Sequence, residues 1–201
     1  MYIAIEGNIG AGKTSLAQLL ADDLHAHLRL EPFEQNPFLP HYYNAPERYA
    51  LPTELFFLVA RYEQLAHNAA TKPHSTHTIA DYIFIKTLLF AGNSLSGDER
   101  ALFERTYNAL AAGLPPPDLL VYLHRPTHIL LQQIKKRGRD YETHITPQYL
   151  DAIEQTYRHH FANLPTEQPS LWLDLADTDF LDDPHAYQHL RERILQHLPT
   201  T

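Results

Sequence analysis

Near the N terminus, Gly7-Asn8-Ile9-Gly10-Ala11-Gly12-Lys13-Thr14 satisfies every fixed position of G-x-x-x-x-G-K-[ST], the pattern of a loop that wraps a triphosphate. The chemistry needs each residue type at its place. Glycines let successive backbone N–H groups turn inward on phosphate oxygens, and a helix starting at the end of the loop adds the positive end of its dipole. Lys13 is the cation for the β- and γ-phosphates, and Thr14 offers a hydroxyl to Mg²⁺. The stretch from Gly7 through Asn8, Ile9, Gly10, Ala11 and Gly12 to Ser15 is therefore the candidate ATP site. An empty glycine-rich turn is the bland alternative, and the completeness of the motif speaks against it.

Two carboxylates and a basic run extend this chemistry. Glu31, followed by Pro32, stands at the end of a second apolar segment, and Asp81 ends a third. In an open α/β sheet, ligands sit beyond the carboxyl ends of the strands. One carboxylate there can take a proton from an attacking hydroxyl while the other holds Mg²⁺, directly or through water. Lys135, Lys136, Arg137 and Arg139 place four of the 16 basic residues within five positions, interrupted by Gly138. Arginine forks match phosphate oxygens, so the run reads as a short lid over about 135–145. No N-K-x-D follows a strand, which argues against a GTPase.

The elements that must position these groups follow from periodicity. Tyr2-Ile3-Ala4-Ile5 reads as a strand, and Leu16, Leu19, Leu20 and Leu24 place a helix over about Lys13–Ala26. His27–Glu31, His77–Ala80, Asp118–Leu123 and Ser170–Leu175 read as four more strands. Between Pro32 and Pro52 the chain reads as an ordered loop with short helical turns, and Pro52-Thr53 opens a helix, capped by Thr53, that fades near Ala70. A polar stretch, Thr71–Ser75, leads to the third strand. Further helices are expected through Phe90 and over Ser96–Ala112, Pro126–Lys136, Pro147–Leu164 and His185–Leu198. Strands alternating with helices imply a five-stranded parallel sheet covered on both faces, in one domain spanning residues 1–201.

Composition excludes several classes of function. The chain has 201 residues and a formal net charge of -8, which speaks against a nucleic-acid polymer or an anionic membrane as partner. Its apolar runs fall short of the roughly 20 residues of a membrane span. Without cysteine there is no disulfide framework, thiolate zinc site or thiol nucleophile. A cytoplasmic location is expected. The 14 histidines show no carboxylate-framed metal pattern.

Taken together, Glu6 to Thr14, Glu31-Pro32, Asn36-Pro37-Phe38-Leu39, Pro46-Glu47-Arg48-Tyr49-Ala50, Asp81-Tyr82-Ile83-Phe84, Leu89-Phe90-Ala91 and Arg137-Gly138-Arg139 resemble the deoxynucleoside kinase family, and within it the bacterial deoxyadenosine/deoxyguanosine kinases. The resemblance covers Tyr2 to about Phe161. It implies the three-layer sandwich of P-loop NTPases, ATP with Mg²⁺, a small deoxynucleoside substrate phosphorylated at its 5′-hydroxyl, and a homodimer. It further implies that Glu31 is the general base, that Lys13, Arg137 and Arg139 neutralise the transferring phosphate, and that Thr14 and Asp81 organise the metal. Tyr43 and Glu142 fall where the family contacts the deoxyribose hydroxyls, and Arg61 and Phe90 where it surrounds the base.

Three departures from the family pattern stand out. Ala80-Asp81-Tyr82 lacks the arginine expected beside the catalytic carboxylate. Glu54 stands for the glutamine that reads the base edge, and Lys86 for the base-reading aspartate. An ionised glutamate offers acceptors only, which suits the adjacent ring N–H and amino donors of guanine; alternatively Glu54 and Lys86 pair with each other. Gln133 replaces an upstream lid arginine, for which Lys135 or Lys136 compensates. The residues alone leave open a nucleoside monophosphate kinase, a kinase of another small metabolite, and a nucleotide-binding regulatory module without turnover.

Overall fold

A computed structural model describes residues 1–70, 77–176 and 178–198, with the backbone alone at 67–70. The expected polar stretch Thr71–Ser75 lies outside the described residues. Five strands, β1 (Tyr2–Gly7), β2 (His27–Arg29), β3 (Thr78–Ala80), β4 (Leu119–His124) and β5 (Ser170–Asp174), form a parallel sheet in the order β2-β3-β1-β4-β5. Its helices are α1 (Lys13–Asp23), α2 (Leu39–Tyr42), α3 (Pro46–Ala70), α4 (Lys86–Ser94), α5 (Gly97–Ala111), α6 (Thr127–Arg137), α7 (Pro147–Ala162) and α8 (Pro184–Gln196).

Alternation along the central strands splits the sheet between two layers of helix. Ile3, Ile5 and Val121 share a buried core with Leu16 and Leu20 of α1, Leu130 of α6 and Leu190 of α8. On the other face, Tyr122 packs with Ile153 and Tyr157 of α7. The expected α/β sandwich of P-loop type is the observed one. A separate helical core gathers Leu58 and Leu65 of α3 with Phe84, Ala91, Phe103 and Tyr107. Tyr149 of α7 packs against all three clusters, so the helical core and the sheet are joined through it.

Most boundaries follow local chemistry. Pro147 and Pro184 occupy first helical turns, where a missing N–H costs nothing, and Thr146 and Asp183 cap them by accepting from Tyr149 N and His185 N at 3.2 and 2.9 Å. The exception is α3. Pro52 lies inside this helix and Thr53 is not its cap. The helix starts instead at Pro46, where Ala45 O accepts from Arg48 N and Tyr49 N at 3.1 Å each. A proline six residues beyond the start removes one donor, yet the burial of Ala50, Phe57, Leu58 and Leu65 along the helix outweighs that local cost.

Candidate active site

The phosphate loop is fixed from below before any ligand is considered. Gly10 and Gly12 adopt φ of 83° and 95°, where a side chain is disfavoured. The Asn8 side chain is not turned to the cavity: its Nδ2 donates to Leu150 O at 2.8 Å, and its Oδ1 accepts from Ile9 N at 2.8 Å. Lys13 Nζ donates to the carbonyls of Gly7 and Asn8, both at 2.9 Å. Burial, reinforced by repulsion from Lys86, lowers the Lys13 ammonium to about 8. The carboxylates of Glu6, Glu31 and Asp81 oppose that shift only in part.

Asp81 ties three strand ends together. Its Oδ2 accepts from Thr14 Oγ1 at 2.6 Å, and its Oδ1 accepts from the backbone N–H of Glu31 at 2.8 Å. The loop after β1, the end of β2 and the end of β3 are thus joined at one carboxylate. Thr14 and Asp81 place two hard oxygen donors side by side, the kind of ligand that Mg²⁺ takes when substrate phosphates and water complete its shell. Among the described residues no cluster of three or more His, Cys, Asp or Glu could hold a metal by protein ligands alone. That donor set fits a metal brought with a nucleotide.

Glu31 faces two cations. Arg61 donates through Nε to Glu31 Oε1 at 2.8 Å and also through Nη2, while its Nη1 donates to Thr87 Oγ1 at 2.8 Å. Lys86 Nζ donates to the other oxygen, Oε2, at 2.8 Å. Burial alone would raise the Glu31 carboxyl, but the charges of Arg61 and Lys86 outweigh it and hold the group well below the usual carboxylate range. Glu31 is therefore an ionised acceptor.

Two cavities meet at this carboxylate. The larger, about 840 Å³, is lined by the loop from Gly10 to Ser15 and reaches Lys136, Arg137 and Arg139. The smaller, about 120 Å³, is lined by Tyr43, Glu54, Arg61, Lys86, Phe90 and Glu142 among others. All six base- and sugar-site candidates from the sequence therefore converge on one cavity. Arg61, however, spends its guanidinium on Glu31, and Lys86 is on Glu31 too, not on Glu54. Glu54 instead accepts from Ser94 Oγ at 3.0 Å. Burial, opposed in part by Arg61, pushes the Glu54 carboxyl up to about 7.

The lid arginines are held by their own segment. After α6, Gly138 takes φ 71° and turns the chain into a 3₁₀ stretch at Asp140–His144. Arg137 Nη2 lies 2.7 Å from both Glu142 oxygens, and Arg139 Nη1 lies 3.3 Å from one of them. Arg139 also covers the Phe33 ring at 3.8 Å. Of the proposed substitutes for the missing upstream arginine, Lys136 lines the larger cavity together with Gln133.

Sequence reasoning missed Arg125 and Phe180. Arg125 directly follows β4, and its guanidinium donates to Ala11 O, Ala176 O and Thr178 O at 3.2, 3.0 and 2.7 Å. Phe180, 3% exposed, stands where a Cβ on Gly12 would approach its ring at 3.1 Å. Both line the larger cavity. The rule that ligands lie beyond strand ends points to Arg125; nothing in the pattern around Phe180 marks it.

The model of one family, deoxynucleoside kinase, matches residues 3–199. The chain belongs to that family. A deoxyguanosine kinase of Bacillus subtilis is 34% identical over 185 residues, covering 90% of this chain and 88% of the relative. A deoxyadenosine/deoxycytidine kinase of the same organism is 25% identical over 199 residues, covering 96% and 90%. Among solved structures, deoxyadenosine kinase from M. mycoides with bound dATP superposes with a TM-score of 0.83 at 23% identity, covering 97% of this chain and 100% of that one. The protein is thus a phosphotransferase, a deoxynucleoside kinase drawing on a nucleotide phosphate donor. Family membership decides against the monophosphate kinase and against the module without turnover. Among its described residues, no helix is long and apolar enough to cross a membrane.

Proposed function

We propose that this kinase uses ATP with Mg²⁺ to phosphorylate the 5′-hydroxyl of deoxyguanosine in preference to other deoxynucleosides. The larger cavity takes the triphosphate and the smaller one the nucleoside. Arg125 and Phe180 line the triphosphate cavity with the lid residues. Gly10 to Thr14 hold the phosphates by backbone N–H groups, and Lys13, Arg137 and Arg139 neutralise the group in flight. Thr14 and Asp81 would hold the Mg²⁺, which would offset the charge of the phosphates. Tyr43 and Glu142 address the deoxyribose, and Phe90 lies against the base. A single catalytic domain per chain and pairing of two chains belong to the same proposal.

In the chemical step, the 5′ O–H bond breaks and its proton passes to Glu31. The 5′-oxygen forms the new bond to the γ-phosphorus, and the bond from that phosphorus to the bridging oxygen breaks, ADP leaving with the electron pair. The observation that carries this reading is the position of Glu31: an ionised carboxylate at the junction of the two cavities, tied through Asp81 to the residue offered to the metal. For the base, Glu54 carries the argument, since a carboxylate accepts from the two adjacent donors of guanine and has none to offer adenine. The 34% identical deoxyguanosine kinase supports the same choice.

Glu31→Gln tests the base. Its kcat for deoxyguanosine should fall by about 10²–10⁴, with ATP affinity preserved in a direct binding measurement. A near-normal kcat would remove the general-base assignment.

A further inference from the structure

Glu31 is held by two cations that differ in what they can still do. The Arg61 fork is committed: two of its nitrogens donate to Oε1 and the third to Thr87, and the residue is 2% exposed. Lys86 donates to Oε2 at 2.8 Å with an ammonium that has three donors. It rises from the first residue of α4 into the wall of the nucleoside cavity, 5.6 Å from the centre of the Phe90 ring. The position directly after Asp81 contributes no cation there. It is Tyr82, fully buried, with its hydroxyl donating to Gln64 Oε1 at 2.5 Å.

We propose that Lys86 is the positioning residue of phosphoryl transfer: its ammonium fixes Glu31 Oε2 at the junction of the cavities and supplies the positive charge that the attacking 5′-oxygen meets. This rests on Glu31 being the proton acceptor. The charged groups around Lys86 come from every neighbouring element: Glu31 after β2, Arg61 and Glu54 on α3, Glu6 on β1 and Lys13 on α1. Of these, only Glu31 is bonded to its ammonium. Deprived of Lys86, Glu31 keeps Arg61 on one oxygen and loses the charge opposite the other. Oε2 then loses the bond that fixes its direction, so the cost falls on kcat and not on nucleoside binding.

The experiment measures kcat and KM for deoxyguanosine and deoxyadenosine for Lys86→Met, Lys86→Arg, Glu31→Gln and the Glu31→Gln/Lys86→Met double variant. Lys86→Met should lower kcat roughly 100-fold and leave both KM values within a few-fold. Lys86→Arg should restore most of the rate. In the Glu31→Gln background the second substitution should cost little, because the two act as one unit. Should Lys86→Met not fold, Lys86→Gln is read for the same loss of kcat. An unchanged kcat with an altered guanine-to-adenine ratio of kcat/KM would make Lys86 a base reader and overturn the proposal, as would a full additional loss in the double variant. Near-normal activity of Glu31→Gln would sink the underlying base assignment instead, whatever Lys86 does.

Discussion

At the scale of single residues, the role proposed for Glu54 would turn a protonation equilibrium into a choice of base. Ionised, it offers only acceptors; protonated, it offers one donor and one acceptor, as a glutamine would. Facing it are Arg61 on its own helix, Ser94 and Lys86 on α4, Glu31 after β2, and the hydroxyls of Tyr42, Tyr43 and Tyr149. With its carboxyl pushed up to about 7, the ratio of kcat/KM for deoxyguanosine over deoxyadenosine should rise as pH passes upward through 7. Glu54→Gln should flatten that rise and fix the ratio at its low-pH value. The same substitution has a signature in stability. An acid whose folded value is raised favours the fold while protonated and loses that contribution as pH climbs from its usual value toward 7. The melting temperature of Glu54→Gln should therefore exceed that of the parent at pH 8 and match it near pH 5. A ratio independent of pH would refute the role of Glu54 in selection.

Elements decide where such residues end up, and here sequence reading divides cleanly. The loop from Gly7 to Thr14, the five strands and the carboxylates at their ends were legible, because a complete motif and a period of two or 3.6 leave few alternatives. The start of α3 was not. Pro52 followed by Thr53 is a local start signal, and only the packing of Ala50, Leu58 and Leu65 into one helical core reveals that the helix runs through it. The partner of Lys86 was equally hidden, since no spacing says that α4 aims its first residue at the end of β2. The lid shows how one backbone angle aims two arginines. Gly138 sits at φ 71°, with the nearest atom to an added Cβ 4.0 Å away, so a side chain there meets strain and not a clash. Gly138→Ala should cost about 1–2 kcal/mol of stability and raise the KM for ATP several-fold by mis-aiming Arg137 and Arg139. Gly138→Asn, which tolerates the left-handed region, should recover most of both. An unchanged KM for ATP in the alanine variant would detach the lid from the phosphates.

For the molecule as a whole, the site lies along the seam between the sheet core and the helical core. The phosphate loop belongs to the former, while α3 and α4, which bear Glu54, Arg61, Lys86 and Phe90, enclose the latter. Loosening one core should thus be felt selectively. Phe103, fully buried among the helices, gives a direct test. Phe103→Ala should cost about 3–5 kcal/mol, visible as a drop of roughly 10 °C in melting temperature, and it should raise the KM for the nucleoside more than that for ATP. Equal increases would show the two cores to be mechanically indistinguishable.

The net charge of -8 and the local cluster of cations are reconciled by Glu142. Standing between Arg137 and Arg139, it is an anion that no dilution removes. Tethered a few residues away, such a group competes with an effective concentration on the order of millimolar. If the arginines take phosphate as proposed, a triphosphate already anchored by the loop would compete with Glu142 from within the same complex, whereas a lone phosphate or a passing stretch of polyanion would compete from solution. The internal carboxylate would then favour ligands by valency, reserving the lid's positive charge for a nucleotide that the loop has already accepted.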